Sequence, residues 1–182
     1  MPELMNDKRV VLVLGGTRSG KSRYAEQLAE RWWPRPLYLA TTEVFDAELA
    51  DRVKQHRQRR GAHWGCVEAP VDIASVIRSP EPARDGLLLD CATVWLSNVI
   101  FKEGEAELPR RRRDLLDALA RPAGDVIIVS NEVGMGIVPE SALGRHFRDL
   151  QGTLNQDLAA IAGTVVFVIA GQPLTLKGAP CT

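Results

Sequence analysis

A three-layer α/β fold with a mostly parallel sheet is predicted by three observations. Apolar runs at residues 10–14, 37–40, 87–90, 126–130 and 165–170 are nearly continuous in Val, Ile and Leu, without polar alternation. Strands of that kind are covered on both faces, as in a parallel sheet between helix layers. Helix-patterned segments separate the runs, which is the strand–helix alternation of an α/β architecture. The first run leads directly into Gly15-Gly16-Thr17-Arg18-Ser19-Gly20-Lys21-Ser22. This is the spacing G-x-x-x-x-G-K-[ST] of a phosphate-binding loop set between a strand and a helix.

Each element has its own warrant. The loop glycines let backbone N–H groups approach a phosphate because no Cβ intervenes. Lys21 supplies a point charge, the Ser22 hydroxyl is a Mg²⁺ ligand candidate, and the helix after the loop adds the positive end of its dipole. Tyr24, Leu28 and Trp32 form that helix's stripe, which Pro34 stops. Residues 46–60 read as another helix, with Phe45, Leu49 and Val53 on the apolar side and Arg52, His56, Arg59 and Arg60 on another. Short runs at 66–68 and 174–177 are expected edge strands, the second antiparallel across Gly171-Gln172-Pro173. Pro80, Pro82 and Gly86 mark a surface loop. Residues 105–120 form a helix whose four arginines, Arg110 to Arg113, read as a solvated start. Leu143, Phe147, Leu150, Leu154, Leu158 and Ile161 recur at helical steps between Ser141 and Gly163. Residues 178–182 are expected to fray.

Ligands of an open parallel sheet bind outside the carboxyl ends of its strands. The strand ends here run into polar or small residues: Thr41-Thr42-Glu43, Asp90, Asn131-Glu132-Val133-Gly134 and Gly171. Asp90 ends an apolar strand, as does the acid that holds a nucleotide's Mg²⁺; it also suits the N-cap of a helix beginning at Cys91. His56 among arginines has a lowered proton affinity, and a neutral imidazole is a nitrogen nucleophile. A basic helix face ending in a histidine is, on composition alone, usually just solvated.

The totals set bounds. The chain has 182 residues, 45% of them hydrophobic, and a formal net charge of zero, so a single domain over 1–182 is expected, with no nucleic acid as partner. Cys66, Cys91 and Cys181 form no C-x-x-C pair, and His56, His63 and His146 lack metal-ligand spacing. No apolar run reaches the roughly 18 to 20 residues that cross a bilayer. A soluble, cytoplasmic chain is expected.

Several motifs together resemble one family. They are the phosphate loop, Tyr38-Leu39-Ala40-Thr41-Thr42, Arg52-Val53-x-x-His56-Arg57, and His63-Trp64 leading to Val67-Glu68-Ala69-Pro70. They continue with Leu88-Leu89-Asp90-Cys91 and Asn98, the run from Ser130-Asn131-Glu132-Val133-Gly134-Met135-Gly136 to Pro139, Arg145-His146-Phe147-Arg148-Asp149, and Asn155-Gln156. In order and over almost the whole chain, these are similar to the bifunctional adenosylcobinamide kinase/adenosylcobinamide-phosphate guanylyltransferases.

The resemblance implies a RecA-like sheet, a homotrimer and two reactions. Adenosylcobinamide is phosphorylated by a nucleoside triphosphate, ATP or GTP. GMP from GTP then passes through a guanylylated histidine to adenosylcobinamide phosphate. It implies His56 as that histidine, Lys21 as a catalytic residue, and nucleotide contacts at Gly15 to Ser22, Ala40, Thr41, Thr42, Arg57, Gln58, Arg59, Arg60, Glu68 and Asp90. Ser22 and Asp90 are the implied Mg²⁺ ligands. Glu68 suits guanine, whose N1–H and N2–H a carboxylate accepts. A single-activity kinase would share the loop but leave the protein unlabelled by α-labelled GTP, and a non-enzymatic switch would bind GTP without consuming it.

Overall fold

The computed structural model describes residues 9–42, 61–80 and 84–181. Its strands are β1 Val10–Gly15, β2 Pro36–Ala40, β3 Gly65–Glu68, β4 Gly86–Asp90, β5 Asp125–Asn131, β6 Thr164–Ile169 and β7 Gln172–Lys177. They form one seven-stranded sheet in the order β3-β2-β4-β5-β1-β6-β7. All neighbours are parallel except the β6–β7 pair. The helices are α1 Lys21–Trp32, α2 Ile73–Arg78, α3 Ala92–Asn98, α4 Leu108–Ala120 and α5 Ala142–Ile161. A π turn, Val99–Glu103, and a 3₁₀ turn, Glu105–Glu107, join α3 to α4. The expected helix over 46–60 lies outside the described residues, with its apolar positions Phe45, Leu49 and Val53.

Period-two side-chain direction sorts the buried residues into two layers of core. Val10, Leu12 and Leu14 of β1, with Val126 and Ile128 of β5, meet residues of α2 to α5, including Leu115, Leu119, Leu154 and Leu158. Val11, Val13, Ile127 and Val129 point the other way, onto Ala25, Leu28, Ala29 and Trp33. This is why the strands read as unbroken apolar runs: both faces of the sheet are covered.

Helix limits have local causes. Trp33 is already extended, at φ −127° and ψ 119°, as the residue before Pro34 must be. Ser141 caps α5 by accepting a hydrogen bond from the Gly144 N–H at 3.1 Å. The apolar stripe of α5 buries Leu154 and Leu158, whereas Leu143 at its start is 62% exposed. With Met135, Ile137 and Val138 it belongs to an exposed aliphatic run entering the helix.

Three expectations are corrected. The hairpin turn is Ala170-Gly171, both at positive φ (50° and 77°), and Gln172 and Pro173 already belong to β7. Pro173 is tolerated because β7 is an edge strand. Gly86 is not in a loop but opens β4, and a Cβ there would stand 2.1 Å from Trp33 Cε2. The arginine run does stand at the start of α4, with Arg110 and Arg113 exposed. Surface ion pairs join it: Arg110 meets Glu107 at 2.8 Å and Asp114 at 3.4 Å, Arg111 meets Glu103, and Arg112 meets Asp157. Arg111's hydrogen bond holds the Glu103 carboxyl below the usual carboxylate range. The tail also folds back as far as Cys181, which is half-buried against the α1 side of the core beside Tyr24.

Candidate active site

The loop after β1 is shaped by contacts that exclude side chains. A Cβ on Gly15 would stand 2.5 Å from Ser19 Oγ and 2.7 Å from the Val168 carbonyl oxygen, so only glycine fits. Gly20 sits at φ 96°, in the left-handed region, and delivers the chain into α1 at Lys21. A Cβ on Gly16 would meet nothing within 4 Å, so the loop is open on that side. The Ser19 N–H donates to the Gly16 carbonyl at 3.2 Å, and the Gly171 N–H donates to the Ser19 carbonyl at 2.8 Å. The β6–β7 turn therefore braces the loop. Thr17 and Arg18 are exposed.

Lys21 is buried, and its Nζ donates to the Gly16 carbonyl at 3.1 Å. Its ammonium is thereby folded over the loop. The cap residue of α1 is a glycine without a side-chain cap, so the first-turn N–H groups keep their positive end of the dipole. Ser19 Oγ is buried without a hydrogen-bond partner among the described residues. A loop with one unsatisfied hydroxyl, backbone N–H donors and a lysine suits a phosphate group.

The other strand ends share this rim. Ala40 pairs in register with Glu68 on one side and with Asp90 on the other. Asp90 is half-buried, and its Oδ2 accepts from the Tyr38 hydroxyl at 3.1 Å. The helix cap that Asp90 also suited falls instead to its neighbour. Cys91 is the N-cap of α3, its Sγ accepting from the Val94 N–H at 3.5 Å. Burial pushes the Cys91 thiol up to about 11, and the Asp90 carboxylate adds to the shift. Asp90 and the half-buried Ser22 offer hard oxygens, the kind of donor that Mg²⁺ takes alongside phosphate oxygens. Among the described residues no group of three or more His, Cys, Asp or Glu side chains could hold a metal alone.

Thr41 is fully buried: its hydroxyl accepts from the Cys91 N–H and donates to the Cys91 carbonyl, both at 2.9 Å. Thr42 beside it is half-buried, and Glu68 is exposed at the end of β3. Asn98 donates to the carbonyls of Thr41 at 2.8 Å and Pro70 at 2.9 Å, locking β2's exit to that of β3. His56, Arg57, Gln58, Arg59 and Arg60 lie outside the described residues.

Sequence reasoning did not find the roles of Tyr38 and Asn98, nor a buried polar cluster behind β5. Ser130 donates to Asn155 Oδ1 at 2.7 Å, and Gln151 Nε2 donates to Ser130 Oγ at 3.0 Å and Asn155 Oδ1 at 2.9 Å. One signal was available: Gln151 and Asn155 are four apart and so share a face of a helix otherwise packed by leucines. A concavity of about 620 Å³ lies at the opposite rim, lined by Arg9, Trp32, Leu119 and Cys181 among others, and holds none of these residues.

Residues 11–176 match the family model described as cobinamide kinase / cobinamide phosphate guanyltransferase. The chain is 43% identical over 169 residues to the bifunctional adenosylcobalamin biosynthesis protein CobP of Pseudomonas aeruginosa, covering 93% of this chain and 98% of that protein. It is 39% identical over 181 residues to the bifunctional adenosylcobalamin biosynthesis protein CobU of Escherichia coli, covering 92% and 99%. A type III secretion system ATPase from pathogenic bacteria shares the fold at TM-score 0.55 and 12% identity, covering 92% of this chain and 56% of that one. The type III secretion ATPase EscN of enteropathogenic E. coli does so at 0.53 and 12%, covering 90% and 43%. The chain thus spans about half the length of those ATPases and has their α/β phosphate-loop fold. With its strand–loop–helix cradle and a match over nearly its whole length, the chain belongs to the cobinamide kinase / cobinamide phosphate guanyltransferase family.

Proposed function

We propose that this chain phosphorylates the aminopropanol hydroxyl of adenosylcobinamide with ATP or GTP, then guanylylates the product with GTP to give adenosylcobinamide-GDP. Both steps are assigned to one domain over 1–182, in a cytoplasmic homotrimer. The observation that carries the reading is the cradle at Gly15 to Ser22, with Lys21 folded over it, in a chain 43% identical to a bifunctional relative over nearly its full length.

Each group has its own task. Lys21 exchanges the Gly16 carbonyl for the β- and γ-phosphates and offsets charge as the γ-phosphoryl group moves. Loop N–H groups and the start of α1 hold the remaining phosphate oxygens. Ser22 and Asp90 would hold Mg²⁺, which supplies charge neutralisation on the phosphates when bound. In the second reaction His56 attacks the α-phosphorus of GTP. A P–N bond forms, the bond to the α,β-bridging oxygen breaks, and pyrophosphate leaves into the same loop. A phosphate oxygen of the acceptor then displaces the imidazole. Arg57, Gln58, Arg59 and Arg60 are assigned to the phosphates, Glu68 to guanine, and Ala40, Thr41 and Thr42 to the nucleotide's path along the rim.

Incubation with α-labelled GTP tests this. The expected result is an acid-labile protein adduct that is absent in His56→Ala and is discharged by adenosylcobinamide phosphate. An unlabelled wild-type protein would overturn the transferase half, leaving a kinase.

A further inference from the structure

The polar cluster behind β5 ends on Glu132, and the two together suggest a task. The strand order β4-β5-β1 places the carboxyl end of β5 between the phosphate loop and Asp90. Asn131 is level with Gly15, and the Glu132 N–H donates to the Gly15 carbonyl at 3.0 Å. Glu132 therefore leaves the sheet at the mouth of the loop. Its side chain is held from both oxygens. Oε1 accepts from the Gly134 N–H at 2.8 Å, and Oε2 accepts from Asn155 Nδ2 at 3.5 Å.

Asn155 is itself fixed. Its Nδ2 also donates to the Asn131 carbonyl at 3.0 Å, and its Oδ1 accepts from Ser130 and Gln151. Thr93 of α3 closes the ring by accepting from the Asn131 N–H at 2.8 Å. Gln151, Ser130 and Asn155 are all buried in the apolar interior. Gln151 Oε1 lacks a partner among the described residues. The other buried groups of the ring are paired, and the four bonds to Ser130, Gln151, Asn131 and Glu132 hold the Asn155 amide in one arrangement. Here that arrangement ends on a half-buried carboxylate at the rim.

We infer that Glu132 is the general base of the phosphorylation step and that Asn155 is its positioning residue, an assignment that rests on the proposed kinase reaction. The substrate hydroxyl gives its proton to a Glu132 carboxylate oxygen as its own oxygen bonds to the γ-phosphorus. The bond from that phosphorus to the β,γ-bridging oxygen breaks, and its electron pair leaves with the nucleoside diphosphate. The guanylyl step has no such requirement, because its acceptor is an already ionised phosphate. Glu132 thus distinguishes the two reactions that share the loop.

The test compares steady-state phosphorylation of adenosylcobinamide with self-guanylylation from α-labelled GTP in wild type, Glu132→Gln, Asn155→Ala and the double variant. Glu132→Gln should lower kcat for phosphorylation by about 100- to 10,000-fold, the usual worth of a general base. KM for the nucleotide should move little, and the ratio of phosphorylation to guanylylation should fall by at least about 30-fold. Asn155→Ala should lower the same kcat by about 10-fold or more, with little further loss once Glu132 is Gln, since it acts through that carboxylate. Should Asn155→Ala not fold, Asn155→Ser, which keeps a hydrogen-bonding group, takes its place. An unchanged ratio in Glu132→Gln overturns the base, and equal Asn155 losses in both backgrounds overturn the positioning. A wild type that does not phosphorylate the corrinoid overturns the kinase reading instead.

Discussion

Cys91 serves as a helix cap, and burial sets its chemistry. Its raised thiol pKa, about 11 against an ordinary 9.0, means the folded state keeps the proton after the unfolded state has lost it. The native state then binds more protons, so stability falls as pH rises through this window. The loss attributable to Cys91 should be about 2 kcal/mol between pH 9 and pH 11. Urea titrations at several pH values check this, with Cys91→Ser, which retains an acceptor for the cap, expected to show a shallower alkaline decline. Gly86 is a second residue-scale case. Its place under the Trp33 indole leaves no room for a methyl group, so Gly86→Ala should cost about 3 kcal/mol by overpacking, read as a lower denaturation midpoint. A glycine after a proline-rich stretch suggests a loop, and nothing local reveals the indole above it.

Among elements, the β6–β7 hairpin ties stability to the site. Ala170 and Gly171 both occupy positive φ, as in the two-residue turn that suits the twist of paired strands. Alanine is strained there, whereas asparagine tolerates it. Ala170→Asn should therefore stabilise the protein by about 0.5–1 kcal/mol, seen as a higher melting temperature. The hairpin itself was legible from two apolar runs with a glycine between them. Its turn was placed too far along because Pro173 discourages a strand assignment, yet Pro173 pairs with Val168 on the sheet's edge, where a missing N–H is tolerated. The long helix was legible from its period. The exposure of Leu143 was not, because periodicity gives the direction of a side chain and says nothing of what stands opposite.

At the scale of the whole molecule, one sheet rim gathers the exits of β1, β2, β4 and β5, so one triphosphate site would serve both proposed reactions. Lys21→Ala should then lose both phosphorylation and guanylylation by about 100-fold or more. His56→Ala should lose only the second, with phosphorylation within about threefold of wild type, and separate assays with γ- and α-labelled GTP measure the two. Equal loss of both in His56→Ala would mean that the histidine serves the triphosphate generally and is no nucleophile.

The phosphate loop, the strands and the carboxylate at the end of β4 were readable from sequence because each depends on neighbours a few residues away. Spacing sets the loop, continuous apolar runs mark doubly covered strands, and a strand's end defines its rim. What only the tertiary structure decided is which distant side chains meet. Tyr38 reaches Asp90 across 52 positions, Asn98 reaches Thr41 across 57, and Ser130 reaches Asn155 across 25. Such pairings depend on strand order and helix placement, which are set by burial over the whole chain. Sequence could show that Glu132 and Asn155 are present, but only the packed sheet brings them together beside the loop.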